Sequence, residues 1–302
     1  MSSCTLCPRN CGVDRSVHPG RCGCTDEIML ARVMLHEWEE PCISGTRGSG
    51  AVFFCGCPLG CSFCQNREIS RRGKSGFADA ARSFSVEGLS KEFLTLAENG
   101  AHNINLVSPT QYTDQIKIAV ARAKNEGLTL PVVWNTGGYE KPDTIASLKG
   151  TADVFLTDVK YYSPEISAAL SGAADYFENA LPSLREMIKV AGEPEYDADG
   201  IMKRGVIVRH LVLPGCRHDS EKILEVLAAE GLDKKIVLSL MSQYTPDFFT
   251  GCPDAKLDRA LRRRVTSFEY DSVVDTATRL GFDGYIQERE SAQTKYTPKW
   301  GF

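Results

Sequence analysis

Ten of the chain's 12 cysteines fall between positions 4 and 64, and this crowding of thiols is the strongest chemical signal in the sequence. The densest run is "FFCGCPLGCSFCQN" (53–66), which contains Cys55, Cys57, Cys61 and Cys64. Cys57, Cys61 and Cys64 are spaced C-x-x-x-C-x-x-C. Three thiolates on one tight loop can hold three corners of an iron-sulfur cube. Ordinary cubanes take four cysteines, so such a loop leaves one iron open. An open coordination site is a catalytic device, as it is for zinc. The competing reading is a zinc knuckle with Cys55 as fourth ligand. Cys55 is assigned instead to the strand that delivers the loop.

A second group precedes it in "CTLCPRNCGVDRSVHPGRCGC" (4–24). Cys4, Cys7 and Cys11, with Cys22, can hold a zinc ion or a second iron-sulfur cluster, since both accept four thiolates. Cys24 is spare in that set, and Cys42, with whichever of Cys22 and Cys24 is unused, is left as an ordinary buried thiol. Cys216 and Cys252 stand alone.

These residues need elements to position them. Residues 1–45 are rich in cysteine and punctuated by Pro and Gly, which predicts a metal-binding lobe. From about residue 46 to 302, short apolar runs alternate with helical periodicity. Strands are expected at 50–55, 103–107, 131–135, 152–160, 205–215 and 235–241. Helices are expected at 85–100, 111–127, 141–150, 220–231 and within 258–281, with helical matter in 161–204. The strands are continuous apolar runs, as in a parallel sheet covered on both faces. Six βα units predict an α/β fold with a partial (β/α)6 barrel, short of the eight strands of a closed one.

In such sheets active sites form at the C-terminal ends of the strands. Several polar residues lie there: Ser108 and Thr110, Asn135 and Thr136 with Gly137, Asp158 and Lys160, Cys216, and Gln243 with Tyr244. Asp158 and Lys160 are two apart on a strand and share a face, where they serve a ligand or pair with each other. Arg209 and His210 point to opposite faces, so one of them enters the barrel. His102, Asn103 and Asn105 flank the second expected strand, and Asn105 is the one assigned inward.

A net charge of -4 and a pI near 5.8 argue against a nucleic-acid-binding surface. No run of about 18 apolar residues suggests a membrane span. The first residues lack the apolar core of a secretory signal. A cytoplasmic setting is expected, where thiols stay reduced and clustered cysteines favour metal over disulfides.

The segment "CPLGCSFCQN" resembles the cluster loop of the radical S-adenosylmethionine (SAM) superfamily, with Phe63 in its aromatic slot. "FFCGCPLGCSFCQNREIS" is especially similar to the loop of the pyruvate formate-lyase activating enzyme branch. "AHNINLVSPT", "VVWNTGGYE", "DVFLTDVKYY" and "VRHLVLPG" extend the resemblance over residues 50–245. It implies a radical SAM partial barrel with a [4Fe-4S] cluster on Cys57, Cys61 and Cys64. SAM would chelate the open iron and be cleaved reductively to a 5'-deoxyadenosyl radical, which abstracts a substrate hydrogen. It also implies a low-potential electron donor such as flavodoxin or ferredoxin.

By the same match Ser108, Thr110, Asn135, Thr136, Asp158 and Lys160, with Phe63, become candidate SAM contacts, and Gln243, just past the sixth strand at the opening, is a further cofactor-binding candidate by position. "SPT" departs from the family's Gly-Gly-Glu-like segment at that place. Three functions compete. One is epimerisation or rearrangement of a small, sugar-like molecule, with Cys216 as hydrogen donor. Another is activation of a glycyl-radical protein. The third is a non-catalytic metal-binding module.

Overall fold

A computed structural model describes residues 3–70 and 81–287. Ten strands form: β1 (Ile28–His36), β2 (Ser49–Phe54), β3 (Arg82–Phe84), β4 (Ile104–Val107), β5 (Val132–Thr136), β6 (Val154–Asp158), β7 (Glu195–Tyr196), β8 (Met202–Leu211), β9 (Val237–Met241) and β10 (Gly284–Ile286). The main sheet runs β10-β9-β8-β6-β5-β4-β2-β1-β3, and among the described residues its two ends do not pair, so the barrel is partial.

From β2 to β10 every neighbour is parallel. The six expected strands are β2, β4, β5, β6, β8 and β9. Beyond them β10 adds a further parallel strand, and β1 and β3 add an antiparallel edge next to β2. Residues 28–36 lie inside the segment expected to be the metal-binding lobe, yet they are part of the sheet. β1 lies between β2 and β3, and from Ala31 to Leu35 its side chains are half-buried or exposed, so no run there is fully buried.

Alternation within the continuous apolar runs sorts the side chains. Val52, Phe54, Leu106, Trp134, Phe155, Val208 and Leu238 face outward, where they share a core with Leu89, Phe93, Ile116, Leu184 and Ile223 of the surrounding helices. Inward, Val133, Val154, Leu156, Ile207 and Val237 close the N-terminal end of the barrel with Cys42 and Ile43.

Helices Val86–Glu98, Thr113–Asn125 and Arg217–Ala229 occupy expected positions. The first is set by Ser85, whose hydroxyl accepts from Gly88 N–H. Late in the chain the helices are two, Ala255–Leu261 and Ser267–Arg279, the second opened by a capping box of Thr266 and Glu269. The helical matter of 161–204 resolves into Pro164–Ser171 and Tyr176–Ala191, followed by β7 paired to β8. No helix among the described residues is long and apolar enough to cross a membrane.

Candidate active site at the barrel mouth

The cluster loop leaves the end of β2 through Gly56, whose φ is +89°. A Cβ there would sit 2.2 Å from Cys24 Sγ, so only glycine lets the loop turn against the N-terminal lobe. Cys55, just before it, is fully buried in the main core, and Cys24 Sγ donates to its carbonyl at 3.1 Å. Its sulfur is a packing atom.

Past the turn, Cys57, Cys61 and Cys64 act on one another electrostatically. Burial pushes the Cys57 thiol up to about 12, and neighbouring Cys61 and Cys64 add to the rise. Burial likewise raises Cys64, with Cys61 next. Cys57 and Cys64 are thus unfavourable as bare thiolates, and iron bound there would supply the missing positive charge. Hydroxyl donors are already aimed at two of them: Ser171 Oγ lies 3.0 Å from Cys61 Sγ, and Ser70 Oγ lies 3.7 Å from Cys64 Sγ. The loop is pinned from above as Ser62 donates to Leu170 O at 2.8 Å and accepts from Thr250 N–H at 2.9 Å. This donor set fits an iron-sulfur cluster held by three cysteines.

Phe63 is buried edge-to-face between Tyr161 and Tyr244, with ring centroids 6.4 and 6.1 Å away. The aromatic slot thus holds the loop in an apolar cluster with Leu59. Tyr244 is part of that packing, and its hydroxyl donates to Leu261 O at 2.6 Å.

Lys160 lies beside the loop. Burial disfavours its charge, but the Asp158 carboxylate and then Cys61 overcome this, so the ammonium is held above its ordinary value. Lys160 and Asp158 form a salt bridge, with side chains 20% and 23% exposed, enough for a ligand to reach them. Tyr176, which sequence reasoning passed over, positions the pair. Its hydroxyl lies 2.9 Å from Gly137 O and 3.0 Å from Asp158 O, and it accepts from Lys160 N–H at 3.0 Å. That bracket ties the ends of β5 and β6 together. Tyr176 sits in the helix after β6, and nothing in its local spacing signals the contact.

Ser108 ends β4 with φ +57°, a left-handed conformation rare outside glycine. It occupies the position where the related segment is glycine-rich. Its carbonyl accepts from Gln111 Nε2, which also donates to Cys55 O and Gly56 O, at 2.7, 2.9 and 3.2 Å. Gln111 therefore couples the β4 turn to the cluster loop. Gln243 follows β9, accepting from Gln287 at 3.3 Å.

Thr136 and Thr110 both donate to Glu140, a carboxyl that is 1% exposed and that sequence reasoning missed. Burial pushes Glu140 up to about 7 against the lowering effect of the two hydroxyls. The ordinary value is 4.5. Between those values the folded chain keeps a proton that the unfolded chain releases, so stability falls as pH rises through that window. Glu140→Gln should remove about 2 kcal/mol of this dependence, measured as urea midpoints at about pH 5 and pH 7.5.

Deeper in the lumen lies a polar layer. Arg209 faces inward from β8 and forms ion pairs with Glu39 and Glu40, whose side chains are 7% and 6% exposed. Glu39 also accepts from Asn105 at 2.8 Å and Asn135 at 3.4 Å, linking β4 and β5 to β8 across the barrel. Asn105 Oδ1 is buried with no hydrogen-bond partner. His210 faces outward, with its Nδ1 2.6 Å from Val159 O. His102 and Asn103 lie at the closed end, engaged with Arg47 and with Ser49 and Ile43.

Cys216 follows β8 and is buried in the apolar cluster of Leu213, Tyr244 and Leu261, with Cys252 packed against it. Burial pushes its thiol up to about 12.

In the N-terminal lobe, Cys4, Cys7, Cys11 and Cys22 line one cavity. Cys24 and Cys42 are both buried, as expected for spare thiols.

The sequence profile of the radical SAM superfamily matches residues 51–215, from β2 through the turn after β8. An uncharacterized protein of Methanocaldococcus jannaschii is 28% identical over 292 residues, covering 94% of this chain and 76% of that protein. Among solved structures, methylornithine synthase aligns with a TM-score of 0.43 at 15% identity, over 76% of this chain and 68% of that one. Streptococcus suis SuiB, bound to precursor peptide SuiA, aligns with a TM-score of 0.48 at 10% identity, over 77% and 46%. The matched profile spans more than half the chain and includes the three-cysteine loop and the strand ends around it. The chain belongs to the radical SAM superfamily, whose cofactors are a [4Fe-4S] cluster and SAM.

Proposed function

We propose that this radical SAM enzyme abstracts a hydrogen atom from a small polar molecule held in the barrel lumen, and that the reaction is an epimerisation or rearrangement. The observation that carries this reading is the polar layer of Asn105, Asn135, Arg209, Glu39 and Glu40 one step below the mouth. An apolar lumen needs no such layer, and buried polar groups left partly unpaired are costly without a ligand. Asn105 Oδ1 is an acceptor of this kind.

The proposed roles follow from position. Cys57, Cys61 and Cys64 hold the cluster, and Lys160 and Asp158 with Ser108, Asn135 and Gln243 receive SAM. Phe63 and Thr136, candidates from sequence, support the site from behind, through Tyr161 and Glu140. When bound, the cluster and SAM supply a 5'-deoxyadenosyl radical by one-electron reductive cleavage. The chain orients the reactants and excludes water. A reduced carrier such as flavodoxin or ferredoxin provides the electron, in a cytoplasmic setting.

An epimerase must return a hydrogen to the opposite face, and a protonated thiol is a suitable donor. Cys216 is held protonated by its burial. Cys216→Ala should leave reductive SAM cleavage at the wild-type level and abolish product. Undiminished product from that variant removes Cys216 from the reaction.

The alternative is activation of a glycyl-radical protein, as in the branch that the loop and Asp158-x-Lys160 resemble. The two are separated by asking which fraction of a cell extract stimulates SAM cleavage. Stimulation by the dialysable fraction supports a small molecule. Stimulation confined to macromolecules, with a protein-centred radical, supports activation.

A further inference from the structure

We infer that Cys4, Cys7, Cys11 and Cys22 hold a second [4Fe-4S] cluster, and that it feeds electrons to the first through the contact between Cys22 and Cys57. The inference rests on the reading that Cys57, Cys61 and Cys64 hold the catalytic cluster.

The fold selects the four ligands. Five cysteines lie within residues 4–24, and the structure sends four to one cavity and the fifth elsewhere. Cys24 Sγ donates to Cys55 O at 3.1 Å and meets the Cys22 side chain from outside the cavity, whereas Cys22 lines the cavity with its Sγ near Cys11 Sγ. Gly20 lies over those two sulfurs: a Cβ there would be 3.3 Å from Cys11 Sγ and 3.4 Å from Cys22 Sγ. The absence of a side chain at that position keeps the cavity open above them.

The lining suits a four-thiolate cluster, since Cys4, Cys7, Cys11 and Cys22 face one cavity beside the catalytic loop. A cubane and a structural zinc both accept four cysteines, and the position of the cavity favours the cubane. Arg15 and Arg21 line the same cavity, and their guanidinium groups offset the net negative charge of a four-thiolate cluster.

The position of the cavity gives the cluster its role. Pro58, from the catalytic loop itself, forms part of the wall. Cys57 N–H donates to Cys22 O at 3.3 Å. A ligand of one set thus touches a ligand of the other, and a path of covalent bonds and one hydrogen bond joins their sulfurs. The lobe is fixed in that pose. Arg9 donates to Pro58 O and Ser171 O, each at 2.9 Å, and Thr144 donates to Leu6 O at 2.8 Å. Buried Arg15 donates to Cys24 O at 3.3 Å and to Gln111 O. Zinc has no redox chemistry and could use none of this.

The electron balance is simple. A reduced low-potential one-electron carrier gives one electron to the N-terminal cluster. That electron passes by way of Cys22 and Cys57 to the loop cluster, and the N-terminal cluster returns to its oxidised state. No atom or proton is transferred.

The test uses the full chain, reconstituted anaerobically with iron and sulfide. Wild type should hold about 8 iron and about 8 sulfide, and both the Cys4→Ala/Cys7→Ala and the Cys57→Ala/Cys61→Ala/Cys64→Ala variants about 4 of each. About 4 iron plus a zinc ion in wild type purified without added metal overturns the proposal. In the Cys4→Ala/Cys7→Ala variant, photoreduced flavodoxin should reduce the loop cluster much more slowly than in wild type, while dithionite still reduces it. Equal rates overturn the relay. Wild type alone gives an independent readout: two paramagnetic cluster signals that broaden each other on reduction support it, and one signal, or two that do not interact, contradict it. Failure of dithionite to drive any SAM cleavage in wild type would count against the catalytic loop rather than the N-terminal site.

Discussion

Cys57→Ala, Cys61→Ala and Cys64→Ala should each abolish reductive SAM cleavage, whereas Cys55→Ala should retain it. The four cysteines lie within ten residues, so only their surroundings separate them. Burial raises the Cys57 and Cys64 thiols, with Cys61 and Cys64 adding to the rise at Cys57 and Cys61 to that at Cys64, and Ser171 and Ser70 offer hydroxyls to Cys61 and Cys64. Cys55 has an apolar environment instead, and burial alone pushes its thiol up to about 12. Its loss trims a packed core and should cost about 1–2 kcal/mol in stability, like other small core truncations. Iron content and 5'-deoxyadenosine yield, measured on the four single variants, check the contrast. Loss of cleavage in Cys55→Ala equal to that in the others would mean a four-cysteine site.

The largest effect on stability is expected at Arg209. Arg209→Met leaves Glu39 and Glu40 without their cation in the barrel interior. Breaking one side of a buried ion pair costs about 3–5 kcal/mol, because the remaining charge is stranded. Burial disfavours the Glu40 charge, and the Arg209 guanidinium reverses this and holds the carboxyl below its ordinary value. The triple variant Glu39→Gln/Glu40→Gln/Arg209→Met removes the charges together and should recover most of the loss. Denaturant midpoints of wild type, single and triple variants test this. A single variant as stable as wild type would show that the layer is not an obligatory ion-pair network.

Local pattern made much of this molecule legible. The six strands of the partial barrel announced themselves as continuous apolar runs, and the three-cysteine loop by its spacing. What escaped depended on contacts between distant segments. Strand β1 was hidden because its residues follow a cysteine-rich stretch and its pairing partner is β2, a long-range contact. The short β10 is recognisable only from its register with β9. Glu39 and Glu40 give no local sign of their partner, since they reach Arg209 across about 170 positions of sequence. Glu140 gave one signal that could have found it: a lone carboxylate just after a glycine pair at a strand end. Asn105 was correctly assigned inward, since strand alternation needs only its neighbours. Spacing alone could not show that Cys22 lines the lobe's cavity while Cys24 Sγ meets Cys55 O, a contact with another segment.

The central claim is that a three-cysteine cluster at the barrel mouth drives reductive cleavage of SAM. The most direct measurement incubates the anaerobically reconstituted, dithionite-reduced chain with SAM and quantifies methionine and 5'-deoxyadenosine. The account predicts the two products in equal amounts, with none from the Cys57→Ala/Cys61→Ala/Cys64→Ala variant. A wild-type preparation with its iron in place that yields neither product would contradict it.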